Sequence, residues 1–272
     1  MKALSIDPSW SGIGALPAKD HPVNGAAARR GLRASGAGLT HRGQVRARNE
    51  DAILVDPSGR VWAVADGMGG HALGAYASER VIGALDTIRD DEEAAPALAL
   101  RLARADADIV ARGRAEGATI GATVVAAVIR GGQATLAWAG DARAYLLRAG
   151  RLVRLTRDHS VVQELVDAGR LSEDEARIHP QANIVTRAVG AGGIPEFTAL
   201  ALADGDRLLL CSDGLTHVLP DAALAEALGA TLSGTAPEGG TPAAACARLL
   251  RQTLANGAPD NVSVIVVDIE AV

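Results

Sequence analysis

Apolar residues run through this chain in short blocks separated by turn residues, and the blocks read mostly as strands. From Gly38 a short strand leads toward Arg46. AILVD (52–56) and VWAVAD (61–66) then flank Asp56-Pro57-Ser58-Gly59, a turn that predicts an antiparallel hairpin. ATVVAAVI (122–129) and ATLAWAG (134–140) form a second pair around Arg130-Gly131-Gly132-Gln133. AYLLR (144–148) and LVRLT (152–156) form a third around Ala149-Gly150. Strands return as DRLLLC (206–211) and VSVIVVDI (262–269), and alternation places Trp62 and Trp138 on buried faces.

Helical spacing interrupts this rhythm. Ala75, Ser78, Ile82, Leu85 and Ile88 share one face. Leu98, Leu102, Ala105 and Ile109 share another, behind a start marked by Pro96. Ser160 with Gln163 and Ser172 with Glu175 each predict a capping box, so residues 160–182 read as a helical insert among strands. Thr241-Pro242 opens and Gly257 closes a last helix, after a Gly/Thr/Pro-rich loop over 231–240. Residues 1–35, rich in Gly, Ala and Pro without sustained period, predict a poorly ordered extension outside a single domain spanning 36–272.

Composition narrows the functional classes. At 272 residues and 48% hydrophobic, the chain can bury a large core as one domain. A net charge of −5, with no basic stripe interleaved with aromatics, argues against a nucleic-acid partner. The two cysteines, Cys211 and Cys246, lie in apolar surroundings and read as core residues. No apolar window has the length of a membrane span and no signal-like leader opens the chain, so a cytoplasmic protein without a membrane partner is expected, and a monomer.

The acids are the informative residues. Glu50 and Asp51 precede the first hairpin and Asp66 ends it. Asp141 and Asp213 each end a strand, and Asp260 precedes the last one. Antiparallel pairing brings Asp51 to Asp66, and pairing of 206–211 with 262–269 brings Asp213 to Asp260. Four or more carboxylates at one sheet edge raise one another's pKa unless cations neutralise them, and all-oxygen ligation favours Mg²⁺ or Mn²⁺. Asp-Gly and Gly-Asp are also ordinary turn dipeptides, and only their joint placement points to a metal site. Arg46, five residues before Asp51, carries a planar fork suited to phosphate.

Eight ordered motifs then carry a resemblance: VRARNEDA, VADGMGGH, GATVV, WAGDAR, LTRDHS, NIVTRAVG, LLLCSDGL and APDNVSV. From about Gly38 to Asp268 the chain resembles the protein phosphatase 2C family, in its bacterial serine/threonine phosphatase branch. The resemblance implies an α+β fold, a central antiparallel β-sandwich flanked by helices on both sides in four αββα layers. It implies hydrolysis of phosphoserine and phosphothreonine in proteins by a metal-activated water, reversing a serine/threonine kinase. Two Mn²⁺ or Mg²⁺ ions would be bridged by Asp66. The Gly67 carbonyl would complete one ion, Asp213 and Asp260 would hold the other, and Glu50 and Asp51 would hold bound waters. Arg46 matches the phosphate-binding arginine, and Asp141 with Asp213 matches a weaker third metal site, although GDAR stands where many members have GDSR.

Other matches are less direct. Met68 replaces a histidine that eukaryotic members use as a proposed general acid, and a thioether has no proton to give. A structural role is expected for His71, so a metal-held water is the expected proton donor. His159 and Arg187, beside the insert that corresponds to the family's flap, are also expected to be structural. The stretch DHSVVQELVDAGRL resembles phosphatases of type VI secretion clusters, which suggests service in such a cluster or in signalling. A two-metal phosphodiesterase and a non-catalytic phosphoprotein-binding pseudophosphatase are the alternatives.

Overall fold

The structure is a computed structural model, and it describes residues 31–70, 72–229 and 240–272. The expected extension over 1–30, His71 and most of the 231–240 loop lie outside the described residues.

Two antiparallel sheets face each other. One has the order β1 (Leu32–His41), β10 (Val262–Ala271), β9 (Arg207–Cys211), β6 (Arg143–Arg148), β7 (Arg151–Arg154). The other has the order β2 (Asp51–Val55), β3 (Val61–Met68), β4 (Gly121–Arg130), β5 (Gln133–Ala139), β8 (Glu196–Ala201). The three predicted hairpins form as β2–β3, β4–β5 and β6–β7, and the predicted pairing of β9 with β10 is present. At the third hairpin Ala149 and Gly150 both take positive φ, the requirement of a tight two-residue turn.

Alternation gives the central strands two buried faces. In β3, Trp62 and Val64 join a core between the sheets, whereas Val61, Ala63 and Ala65 pack outward on α1 (Ala72–Leu85) and α2 (Ala94–Glu116). In β9 and β10, Leu208, Leu210, Ile265 and Val267 face the sheet interface. Leu209, Cys211, Val264 and Val266 pack on a third core that includes Leu249 of α7 (Pro242–Ala255). The result is the expected αββα layering, and strands covered on both faces explain why the sequence shows continuous apolar runs. Trp62, Trp138 and both cysteines are buried as expected.

Several expectations shift. β1 begins at Leu32, so residues 32–35, assigned by sequence to the extension, belong to the sheet. All ten residues of β1 pair with β10, which lies more than two hundred positions away and leaves no local signature. The core stripe of α1 runs through Ala77, Val81 and Ala84, so Ala75 and Ile82 fall on its shoulder. Pro96 sits inside the first turn of α2, which starts at Ala94. Ser172 and Glu175 form the full capping box, opening α4 (Glu173–Arg177). Ser160 caps α3 (Val161–Asp167) with only half of one, because the Gln163 amide turns to Asp167.

Candidate active site

The two sheets present their loop-bearing ends to one cleft of about 480 Å³. Arg46, Glu50, Asp66, Gly67, Asp141, Asp213 and Asp260 all line it, so seven of the eight predicted positions converge there. The predicted register of Asp51 opposite Asp66 is present. Asp213 begins the short helix α5 (Asp213–Thr216) where β9 ends, and Asp260 lies just before β10.

Asp51 is the exception. It lies behind the cleft, with its Oδ2 accepting from Ser212 Oγ at 2.8 Å and from Ser263 Oγ at 2.6 Å. Its Oδ1 is buried without a partner, and so is Asp213 Oδ1. Two buried carboxylate oxygens without hydrogen-bond partners, beside other acids, are donors of the kind a hydrated cation takes.

Electrostatics point the same way. Burial, then repulsion from Asp51, Asp213, Asp141 and Asp260, holds the Asp66 carboxyl well above the usual carboxylate range. Burial with Asp213 and Asp158 does the same to Asp141. Burial pushes Asp51 up to about 7 despite its two serine donors. Burial also raises Asp213, with the nearby His217 opposing the shift. Bound cations would offset this repulsion and bring these carboxyls back toward their ordinary range.

Among the described residues no three His, Cys, Asp or Glu side chains form a set able to hold an ion unaided. Mg²⁺ and Mn²⁺ keep several waters and take one or two carboxylates or a carbonyl each, so they do not require such a set. The all-oxygen donors that line the cleft, Asp66, Asp213, Asp260 and the Gly67 carbonyl, with the unpartnered Asp213 oxygen, fit hydrated divalent cations and not a zinc cage of Cys and His.

Gly67 is required by close approach. A Cβ there would lie 2.0 Å from the Gly74 carbonyl oxygen and 2.8 Å from that of Glu50. Gly67→Ala must push α1 off the strand, and is expected to cost about 1–3 kcal/mol, read as a lower melting temperature together with loss of activity.

Arg46 reaches over this floor from the loop before β2. Its side chain is 56% exposed, and Nη2 donates to Asp260 Oδ2 at 2.7 Å, which raises its pKa. Met68 lines the cleft where a proton donor could stand. Asn183 and Val185, just beyond the helical insert, also line the cleft and bring that insert beside the site.

A sequence model of the protein phosphatase 2C family matches residues 41–262, well over half the chain. This chain belongs to the protein phosphatase 2C family. The serine/threonine protein phosphatase PstP of Mycobacterium tuberculosis is 40% identical over 243 residues, covering 86% of this chain and 44% of that protein. The chain thus spans less than half the length of that relative. The PstP catalytic domain in complex with two manganese ions superposes with a TM-score of 0.78 at 36% identity, covering 88% of this chain and all of that one. PppA, described as a key regulatory component of the type VI secretion system in Pseudomonas aeruginosa, has a TM-score of 0.76 at 37% identity. The match covers 87% of this chain and 98% of that one.

Within the protein phosphatase 2C fold several site residues escape sequence reading. Ser212 and Ser263 fix Asp51, and Asn261 ties the Arg46 loop to the Asp260 turn. Their only sequence signal is their place inside the LLLCSDGL and APDNVSV motifs beside Asp213 and Asp260. His159 is buried as expected, stacked on Trp138, with Nε2 3.2 Å from Glu196, which Arg187 also pairs.

Proposed function

We propose that the chain is a metal-dependent protein serine/threonine phosphatase acting on phosphoserine and phosphothreonine. The observation that carries this reading is the placement of Arg46 over a floor of Asp66, Asp213 and Asp260 in one cleft. Asp66, the Gly67 carbonyl, Asp213 and Asp260 would hold two Mn²⁺ or Mg²⁺ ions, with Glu50 and Asp51 supporting their waters. Asp141 and Asp213 would take a weaker third. When bound, such ions lower the pKa of a water to near neutrality and neutralise charge on phosphoryl oxygens.

The protein's own groups supply the rest. The Arg46 guanidinium offers paired N–H donors to the equatorial phosphoryl oxygens, orients the ester and offsets charge that grows in the transition state. To do so it exchanges its present carboxylate, Asp260, for phosphate. Met68 can exclude water from one side of the cleft but can hold no proton.

The partners are phosphorylated proteins made by a serine/threonine kinase. The similarity to PppA supports service in a secretion or signalling cluster. A cytoplasmic monomer is the state proposed, and no helix among the described residues is long and apolar enough to cross a membrane.

Comparing a phosphothreonine peptide with an aryl phosphodiester tests the reading, and the peptide is expected to turn over far faster. A preference for the diester would replace it with a phosphodiesterase. Arg46→Ala is expected to lower kcat/KM on the peptide by about a hundredfold or more, as for loss of one preorganised charge donor.

A further inference from the structure

We propose that Asn261 is the positioning residue for Arg46, an inference that rests on the phosphatase reading above. The Asn261 side chain is buried, with only 4% of the residue exposed, and every polar atom it carries is spent on the loop that presents Arg46. Its Nδ2 donates to the Arg42 carbonyl at 3.0 Å and to the Arg48 carbonyl at 2.8 Å. Its Oδ1 accepts from the Glu50 backbone N–H at 2.8 Å. One amide thus spans residues 42–50 at three points and closes the loop from both sides of Arg46.

The same residue also sets the acid that Arg46 touches. The Asn261 backbone N–H donates to Asp260 Oδ1 at 2.8 Å, while Arg46 donates to Asp260 Oδ2 at 2.7 Å. Asn261 therefore fixes both members of that pair, the carboxylate through its main chain and the arginine through its side chain.

Other supports hold the ends of the loop: Gln44 Nε2 donates to the Leu254 carbonyl at 2.8 Å, and the Glu50 carbonyl accepts from Gly67 N–H at 3.1 Å and Ser78 Oγ at 2.6 Å. Gln44 N–H bonds the Ala258 carbonyl at 2.9 Å, and Asn49 Nδ2 donates to Thr40 Oγ1 at 2.8 Å. Gly43 lies so close to the 258–260 turn that a Cβ would stand 2.0 Å from the Asp260 carbonyl, at a φ of +75°. The turn itself carries Ala258 at a positive φ of 27°, a backbone state that persists only where surrounding bonds over-determine it. Between Gln44 and Asn49, the bond that anchors the loop's main chain to the body of the domain is the one from Asn261 Nδ2 to the Arg48 carbonyl, and the flanking Arg42 and Glu50 contacts close the loop on either side. A buried amide with both donors and its acceptor satisfied is costly to truncate and holds one geometry. A displacement of about 1 Å in a phosphate-orienting group can cost about a hundredfold in rate.

The test is a double-mutant cycle in the full chain. Asn261→Ala, Arg46→Ala and the double variant are assayed with Mn²⁺ on a phosphothreonine peptide, and inorganic phosphate binding is measured by calorimetry. Asn261→Ala is expected to lower kcat/KM by about tenfold or more in the Arg46 background, and by less than about twofold once Arg46 is Ala. Amide hydrogen exchange is expected to rise within residues 42–50 while β9 and β10 keep their protection. Should Asn261→Ala fail to fold, Asn261→Ser is carried through the same cycle. Equal losses in both backgrounds, or exchange that rises throughout β9 and β10, would overturn the assignment. If the unaltered chain releases no phosphate from any ester, it is the phosphatase reading that fails, and the cycle is then decided on phosphate binding alone.

Discussion

Asp66→Asn is expected to cut Mn²⁺-dependent phosphate release by about a thousandfold or more, while raising the melting temperature of the metal-free protein at pH 8. The first effect follows from removing the carboxylate nearest the centre of the acid cluster. Several kcal/mol of charge stabilisation are at stake, at about 1.4 kcal/mol per decade of rate. The second follows from the same geometry in the absence of metal. Asp66 is repelled by Asp51, Asp213, Asp141 and Asp260, and a neutral amide of equal size ends that repulsion. Activity and thermal melting of one variant therefore move in opposite directions. A variant that keeps its activity, or that melts lower than the parent without metal, would show that Asp66 is a structural acid.

Removing the metal should expose a pH dependence with an inverted sign for a protein of carboxylates. An acid whose pKa is raised on folding stabilises the fold below its unfolded value, and that stability is lost as pH climbs through the folded value. For Asp51 the window runs from about 4, the ordinary carboxylate value, up to about 7. Asp66, Asp141 and Asp213 shift in the same direction. The chelated protein is thus expected to melt progressively lower as pH rises from 5 to 8, with Mn²⁺ restoring most of the loss. Because the ligands must lose protons to bind, Mn²⁺ binding near pH 6.5 should release protons, seen as a binding heat that changes with the ionisation enthalpy of the buffer. A flat melting profile, or a buffer-independent heat, would contradict the charge state drawn from the cleft.

What the sequence made legible, and what it hid, follows from how local each signal is. The β2–β3, β4–β5 and β6–β7 hairpins were readable because turn residues sit between apolar runs a few positions apart. The acids at the ends of those strands were readable for the same reason. β8 leaves no legible signal because EFTALA is an edge strand with only partial burial and no turn pair beside it. The helix at Asp221–Ala227 was missed because seven residues give too short a period to detect. Asp51 is legible at its edge, opposite Asp66, but its hydrogen-bond partners are not. Its serine partners come from residue 212, beside β9, and residue 263, within β10, so they reach it only where the two sheets meet. Asn261 was hidden likewise, because its partners lie more than two hundred residues earlier in the chain. Ordered motifs over most of the chain supplied what local signals could not, and the family match over residues 41–262 bears them out.

The most direct measurement is phosphate release from a phosphothreonine peptide by chelator-treated full chain, before and after Mn²⁺ is returned. The acid cluster predicts negligible release without metal, and recovery that saturates with Mn²⁺ and is matched by tighter folding. Release that is unchanged by chelation, or a chain that stays inactive at saturating Mn²⁺, would contradict the assignment of this cleft as a metal-dependent phosphatase site.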